Sequence, residues 1–306
     1  MEPRQAIATL RRQIASRIIG NPQAIEQVLV SLLAGGHILL ESPPGLGKTE
    51  MSKTLAESMD LGFKRIQCTP DLAPEDILGS SRVDRDAGLR LFNKGPIFTN
   101  LLLVDEINRA QPKTQSAFLE AMAERSVTCL GQTYRLPEPF MVVATQNPVE
   151  CDGTHRLPEA QLDRFLLKAR MTYLGCEEEK SAVRTALNKP KAERIFSSQE
   201  VVSLQRQVAD EVRLEERIMD YIVALVSGTR HRREVMVGAS TRAAVLFTQA
   251  AKASAYLHER TFVDDEDVRA LAHPVLRHRL LMNPDASNFG YTSDDLIDDL
   301  LRKVRV

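Results

Sequence analysis

The sequence predicts an α/β fold, a parallel sheet with helices on both faces, followed by an all-helical region. Three observations predict it. Between His37 and Ala144, short apolar runs alternate with helix-spaced runs, the order that builds parallel strands joined by crossover helices. The stretch HILLESPPGLGKTEM, His37 to Met51, joins a strand, a Pro/Gly loop and a helix without a break. From about Gly175 the strand pattern stops and helical runs take over, which divides the chain into 1–174 and 175–306.

Size and composition set the outer bounds. The 306 residues suffice for one large or two modest domains. Hydrophobic residues are 43% and charged residues 26%, ordinary for a globular chain. A formal net charge of -1 gives no general affinity for nucleic acid or an anionic membrane. No apolar run approaches the roughly 18 residues of a membrane span. The start, MEPRQ, has no apolar core behind it and does not read as a secretory signal, so a cytoplasmic protein is expected. Cys68, Cys129, Cys151 and Cys176 are scattered without a C-x-x-C pair, which argues against zinc and disulfides and for reduced, partly buried thiols. None of the six histidines has a ligand partner at metal spacing.

The elements follow in order. Residues 4–19 read as a first helix, and Asn21-Pro22 as a helix start, a cap residue with proline first. Ile25, Val28, Leu29, Leu32 and Leu33 then share one helical face, and Gly35-Gly36 ends it. After the His37–Leu40 strand and the helix opened by Lys48, Phe63 to Cys68 reads as a second strand. Pro70 to Gly79 reads as a loop with a short helical turn. Residues 80–98 are polar, with a turn at Asp86-Ala87-Gly88, and read as an insertion rather than core. Asn100 to Val104 is a buried strand, and 112–125 a helix burying Phe118, Leu119 and Met122. VTCL, Gly131-Gln132 and TYRL form a hairpin signal, with Gly131 at the first position of a type II′ turn. Phe140 to Ala144 is another buried strand. Helices are expected at 177–187, 198–209, 215–227 and 240–257, with Asp264 capping a last one that carries Val268, Leu271 and Ala272.

The chemistry sits at two strand ends. In Ser42, Pro43, Pro44, Gly45, Leu46, Gly47, Lys48, Thr49 and Glu50, the loop and the helix after it have the layout of a phosphate-binding P-loop. Backbone N–H groups and the positive end of the helix surround phosphates, Lys48 reaches the β/γ-phosphates, and the Thr49 hydroxyl ligates Mg²⁺. Ser42 stands where the pattern G-x-x-x-x-G-K-[ST] has its first glycine, so the loop entry cannot need a glycine-only φ. Asp105-Glu106, after the strand LLLV, completes the site: Asp105 for the Mg²⁺ shell and Glu106 as general base for water. Asn147 ends the next buried strand within reach of that water; Asn-Pro alone signals only a turn, and its assignment rests on the likeness of the longer motifs around it.

EINRAQPKTQSAFLEAMAE (106–124), PEPFMVVATQNP (137–148) and LPEAQLDRFLLK (157–168) resemble the MoxR family of AAA+ ATPases, and the likeness covers most of the chain. The resemblance implies a P-loop NTPase (AAA+) sheet domain with a helical C-terminal lid, ATP and Mg²⁺ as cofactors, and a homo-oligomeric, hexameric ring. It implies that Lys48 and Thr49 are Walker A, Asp105 and Glu106 Walker B, and Asn147 sensor 1. Arg164 in LDRF matches the arginine finger, Arg242 in GASTRA sensor 2, and Ile19-Gly20 a position beside the adenine. A cation in a helix's first turn opposes the macrodipole, so local stability does not explain Arg242. The 80–98 insertion resembles the extra element of this clade, and the Gly131 hairpin its pre-sensor hairpin. Arg156 departs from the family, which has proline before Leu157.

The expected function is ATP-driven, chaperone-like remodelling or maturation of partner complexes, with von Willebrand factor A domain proteins as the implied partner class. The alternatives are a magnesium-chelatase-like metal-insertion subunit and a nucleic-acid-associated motor. A small GTPase fails because Asn188-Lys189-Pro190-Lys191 lacks the aspartate of N-K-x-D. Nucleic acid is not an expected partner: Arg230-His231-Arg232-Arg233 has no interleaved aromatics and reads as a solvated turn.

Overall fold

The structure, a computed structural model, describes residues 3–83, 90–129, 131–147, 154–155 and 157–305. Helices α1 (Pro3–Arg17) and α2 (Pro22–Leu33) precede β1 (Ile38–Glu41), and α3 (Lys48–Ser58) leads to β2 (Phe63–Gln67). Then α4 (Pro74–Leu78) opens onto a hairpin of β3 (Gly79–Val83) and β4 (Arg90–Lys94). β5 (Leu101–Asp105) is followed by α5 (Pro112–Glu124) and a second hairpin, β6 (Ser126–Cys129) and β7 (Gln132–Arg135). β8 (Met141–Gln146), α6 (Glu159–Leu162) and β9 (Leu167–Arg170) complete the sheet region. Seven helices follow: α7 (Cys176–Leu187), α8 (Ser198–Glu211), α9 (Glu216–Gly228), α10 (Thr241–Leu257), α11 (Asp265–Leu276), α12 (Pro284–Asn288) and α13 (Ser293–Lys303). Among them lies a small antiparallel pair, β10 (Val235–Val237) and β11 (Leu281–Met282).

The central sheet has the order β2-β5-β8-β1-β9, and every pairing in it is parallel. Its middle strands are apolar up to their carboxyl ends because helices cover both faces. Side chains alternate along each strand and so sort into two layers. Ile38, Leu40, Leu101, Leu103, Met141 and Val143 join one buried cluster, and Leu39, Leu102, Val104, Val142 and Ala144 the other. The second cluster is closed by α5 through Phe118, Leu119 and Met122. The first runs on without a gap through α1, α2 and α3 into the C-terminal helices, reaching Tyr221, Phe247 and Leu296.

Several expectations change. Asn21 does not cap α2 with its side chain; it sits at φ 51, and its amide instead brackets Thr172, accepting from the backbone N–H at 2.9 Å and donating to the carbonyl at 3.1 Å. The hairpin register pairs Cys129 with Gln132, which puts Gly131 second in the two-residue loop, at φ 79, rather than first. The 80–98 insertion is built as the β3–β4 hairpin, though its expected turn at Asp86-Ala87-Gly88 lies outside the described residues. Phe92 stacks on Tyr134 with centroids 4.4 Å apart, tying this hairpin to β6–β7. Asp264 caps α11 as expected, but α12 and α13 follow it. Cys68 is buried and Cys129 half-buried, but Cys176 is exposed, and Cys151 lies outside the described residues. No helix among the described residues is long and apolar enough to cross a membrane.

Candidate active site

The register of the sheet builds the site. β1 and β5 flank β8, with Glu41 level with Gln146 and Val104 level with Ala144. The carboxyl ends of all three strands therefore open onto one crevice, where open parallel sheets bind their ligands. A cleft of about 360 Å³ lies there, lined by Pro44, Gly45, Leu46, Gly47, Lys48, Thr49 and Glu50 on one side. Lys53, Arg65, Gln67, Asp105, Glu106 and Thr145 line the rest.

Gly45 at φ 84 and Gly47 at φ 75 hold the loop in left-handed backbone that L-residues with a side chain rarely adopt. No heavy atom lies within 4 Å of where a Cβ would stand on either, which leaves a cradle open above the N-terminus of α3. Ser42 is buried, its N–H donates to Gln146 O at 3.0 Å, and its φ is not positive, so serine satisfies the loop entry. Lys48 Nζ folds back over the loop and donates to the Ser42 and Pro43 carbonyls at 3.3 and 3.0 Å. Burial lowers its pKa, opposed by the charges of Asp105 and Glu106 across the cleft.

Asp105 closes β5, buried, with one carboxylate oxygen 2.6 Å from Arg65 Nε and the other accepting from Thr145 Oγ1 at 3.2 Å. Glu106 turns out of the strand at φ 55; its N–H donates to Thr145 Oγ1 at 2.9 Å and its carboxylate pairs with Arg109 Nη1 at 2.9 Å. Thr145, Arg65 and Arg109 were missed from the sequence. A threonine beside Asn147 in TQN was the one available signal; the two arginines gave none, because strand register and a turn bring them in. Burial beside Asp105 and Glu106 pushes the Cys68 thiol up to about 12, so it stays protonated behind the site.

Among the described residues, no group of three or more His, Cys, Asp or Glu is arranged to hold a metal. The oxygens of Thr49 and Asp105 are hard donors on one cleft, which suits a Mg²⁺ that completes its shell with phosphate and water. Glu50 lines the cleft but turns its carboxylate to Lys189 and, at 3.1 Å, to Arg17 Nη2.

The other predicted residues do not line the cleft. Asn147 follows β8 directly and is half-buried, without lining the cleft. Ile19 and Gly20 lie between α1 and α2, where a Cβ on Gly20 would meet Leu174 Cδ2 at 2.2 Å. Arg164 donates to Leu119 O at 3.0 Å, and Arg242 is exposed as the second residue of α10. Asp163 accepts from Ser240, the cap of α10, at 3.2 Å, so these two arginines belong to neighbouring segments. Arg156 lies outside the described residues.

Residues 37–167 match the ATPase family associated with various cellular activities (AAA), and 227–300 the AAA lid domain. The chain is 44% identical to the uncharacterized protein YeaC of Bacillus subtilis, over 91% of this chain and 88% of that one. It is 40% identical to Chaperone MoxR1 of Mycobacterium tuberculosis, over 97% of this chain and 82% of that one. The crystal structure of a candidate ATPase from Cytophaga hutchinsonii superposes with a TM-score of 0.92 at 39% identity, covering 99% and 95% of the two chains. A P-loop and an acidic strand end on one cleft, a helical lid, and relatives matched over nearly their whole length agree: the chain belongs to the MoxR family of AAA+ ATPases.

Proposed function

We propose that this chain binds Mg²⁺-ATP in the P-loop cleft and hydrolyses it, as one subunit of a homo-oligomeric ring, a hexamer. Gly45 to Thr49 hold the phosphates through backbone N–H groups and the positive end of α3. Lys48, released from the Ser42 and Pro43 carbonyls, places its charge on the β/γ-phosphates. Thr49 and Asp105 would hold Mg²⁺, which when bound neutralises charge on the phosphates. Glu106 leaves Arg109 and takes the proton of the attacking water, which Asn147 orients. Ile19 and Gly20 lie beside the adenine. Arg164 and Arg242 stand outside their own chain's cleft and serve a neighbouring chain's nucleotide.

The work done is chaperone-like remodelling or maturation of partner complexes. Support comes from the family and from the name Chaperone MoxR1 carried by a relative. The family resemblance adds von Willebrand factor A domain proteins as the partner class. Residues 1–174 act as the nucleotide-binding domain and 175–306 as the lid.

The observation that carries the reading is that Lys48, Thr49, Asp105 and Glu106 line one cleft. Glu106→Gln tests it. The variant keeps ATP affinity and loses turnover on the order of 10²–10⁴-fold, the usual loss for a general base. Affinity and turnover are measured on one preparation; lost binding, or wild-type turnover, contradicts the assignment.

A further inference from the structure

Buried Arg279 and half-buried Asp163 form a junction between the segment bearing Arg164 and helices α10 and α11. Arg279 follows α11, and its side chain is 1% exposed. Its Nε donates to Asp163 Oδ1 at 2.8 Å. Its Nη1 donates to Leu166 O at 3.2 Å and to Val275 O, and its Nη2 to Phe165 O. The guanidinium thus grips the backbone on the far side of Arg164 as well as the residue before it. His278, also buried, contacts the same Phe165 carbonyl through Nε2 at 3.1 Å, which requires the proton on that nitrogen.

The second oxygen of Asp163 takes the other helix. Ser240 Oγ donates to Asp163 Oδ2 at 3.2 Å and accepts from Ala243 N at 3.4 Å, capping α10. Arg242 lies two residues beyond that cap. One carboxylate therefore stands one residue from Arg164 in the chain and one hydrogen bond from the cap of the helix that carries Arg242. Burial draws the Arg279 pKa down to about 10, Asp163 opposes that, and the charge of Arg242 adds to it; the guanidinium stays charged at neutral pH. A buried guanidinium with four acceptors is a costly way to make a helix contact, because any acceptor lost leaves a charge unpaired. It is a good way to fix geometry.

We propose that Asp163 and Arg279 are positioning residues for ATP hydrolysis, holding Arg164 and Arg242 as one unit for the neighbouring chain's nucleotide. The proposal rests on the reading of Arg164 as a finger acting on that nucleotide. The pair touches no substrate and acts through the arginines it places. A finger serves the transition state more than the ground state, so misplacing it lowers kcat and leaves ATP binding intact.

The test compares assembled wild type, Asp163→Asn, Arg164→Ala and the double variant in steady-state and single-turnover assays. Asparagine keeps the size of the side chain and removes the charge facing Arg279. Asp163→Asn lowers kcat on the order of 10–10²-fold, the scale of a misplaced catalytic group, with KM for ATP changed by less than about twofold. The double variant is slower than Arg164→Ala only by what a displaced Arg242 costs, far short of the product of the two single losses, because a missing finger cannot be misplaced further. A merely structural role lowers affinity and kcat together, and the two losses then multiply in the double variant; that result overturns the proposal. Asp163→Asn with wild-type kcat beside an inactive Arg164→Ala overturns the positioning role and leaves the finger standing. Wild-type turnover in Arg164→Ala overturns the finger itself and this proposal with it. Should Asp163→Asn not fold, Ser240→Gly decides, since glycine still serves as a cap: kcat falls several-fold at constant KM, and an unchanged kcat overturns the proposal.

Discussion

Asp105 and Glu106 are neighbours in the chain, yet the fold gives them different surroundings. Asp105 is the last strand residue, buried between Arg65 and Thr145. Glu106 takes a left-handed conformation that costs roughly 1–3 kcal/mol outside glycine, and its carboxylate faces Arg109 instead. The residue types at this strand end were legible because metal holding and water activation need carboxylates. Their partners were not, since Arg65 reaches Asp105 only because β2 pairs with β5 with Arg65 level with Leu103, a matter of register. His37 gives a residue-scale prediction. Its ring bridges Val142 N–H and Met122 O, and burial lowers its pKa from 6.5 to about 4. Between those values the unfolded chain binds a proton that the folded chain refuses. Stability from this group is therefore complete above about pH 6.5 and falls as pH drops toward 4, by about 3 kcal/mol in all. Denaturant titrations across that range show a steeper acid loss for wild type than for His37→Asn; equal slopes contradict the assignment.

At the scale of elements, strands and long helices followed their periodicity, while the junctions did not. Asn21-Pro22 has cap chemistry, but the chain turns left-handed there and the side chain ties α2 to the end of β9. Gly131 stands second in its turn rather than first, because register, which sequence does not give, pairs Cys129 with Gln132. α13 is not among the helices expected from sequence, though it carries a readable signal: Thr292 with Asp295 three residues on, and Leu296, Ile297 and Leu300 on one face. The P-loop yields a prediction at this scale. Gly47 caps α3 at φ 75 with open space around its Cβ position. Gly47→Ala therefore meets no neighbour; it strains the backbone by roughly 1–2 kcal/mol and puts a methyl group toward the phosphates. Thermal melts show a modest loss without nucleotide and little of the wild-type ATP shift, since a ligand stabilises only the state it binds. A full ATP shift in this variant means the loop does not hold phosphates.

In the whole molecule, the sheet and the C-terminal helices share one apolar cluster, with α10 packed on α2 and α11 on β9. The change of composition near Gly175 marked where strands end, but not that the helices complete the core of the sheet's own face. That packing also joins the segments bearing Arg164 and Arg242 through Asp163, and neither arginine lines the P-loop cleft of the same chain. In the proposed ring, one chain supplies the pocket and its neighbour the arginine. Mixing two inactive variants tests this directly. Arg164→Ala keeps the pocket and loses the finger, whose absence costs roughly 10³–10⁵ in rate in GTPases; Lys48→Ala keeps the finger and loses the pocket. In mixed rings, verified with two tags, some interfaces pair an intact pocket with an intact finger. A trans finger gives ATP turnover above the sum of the two parents, whereas turnover no higher than that sum in verified mixed rings contradicts it.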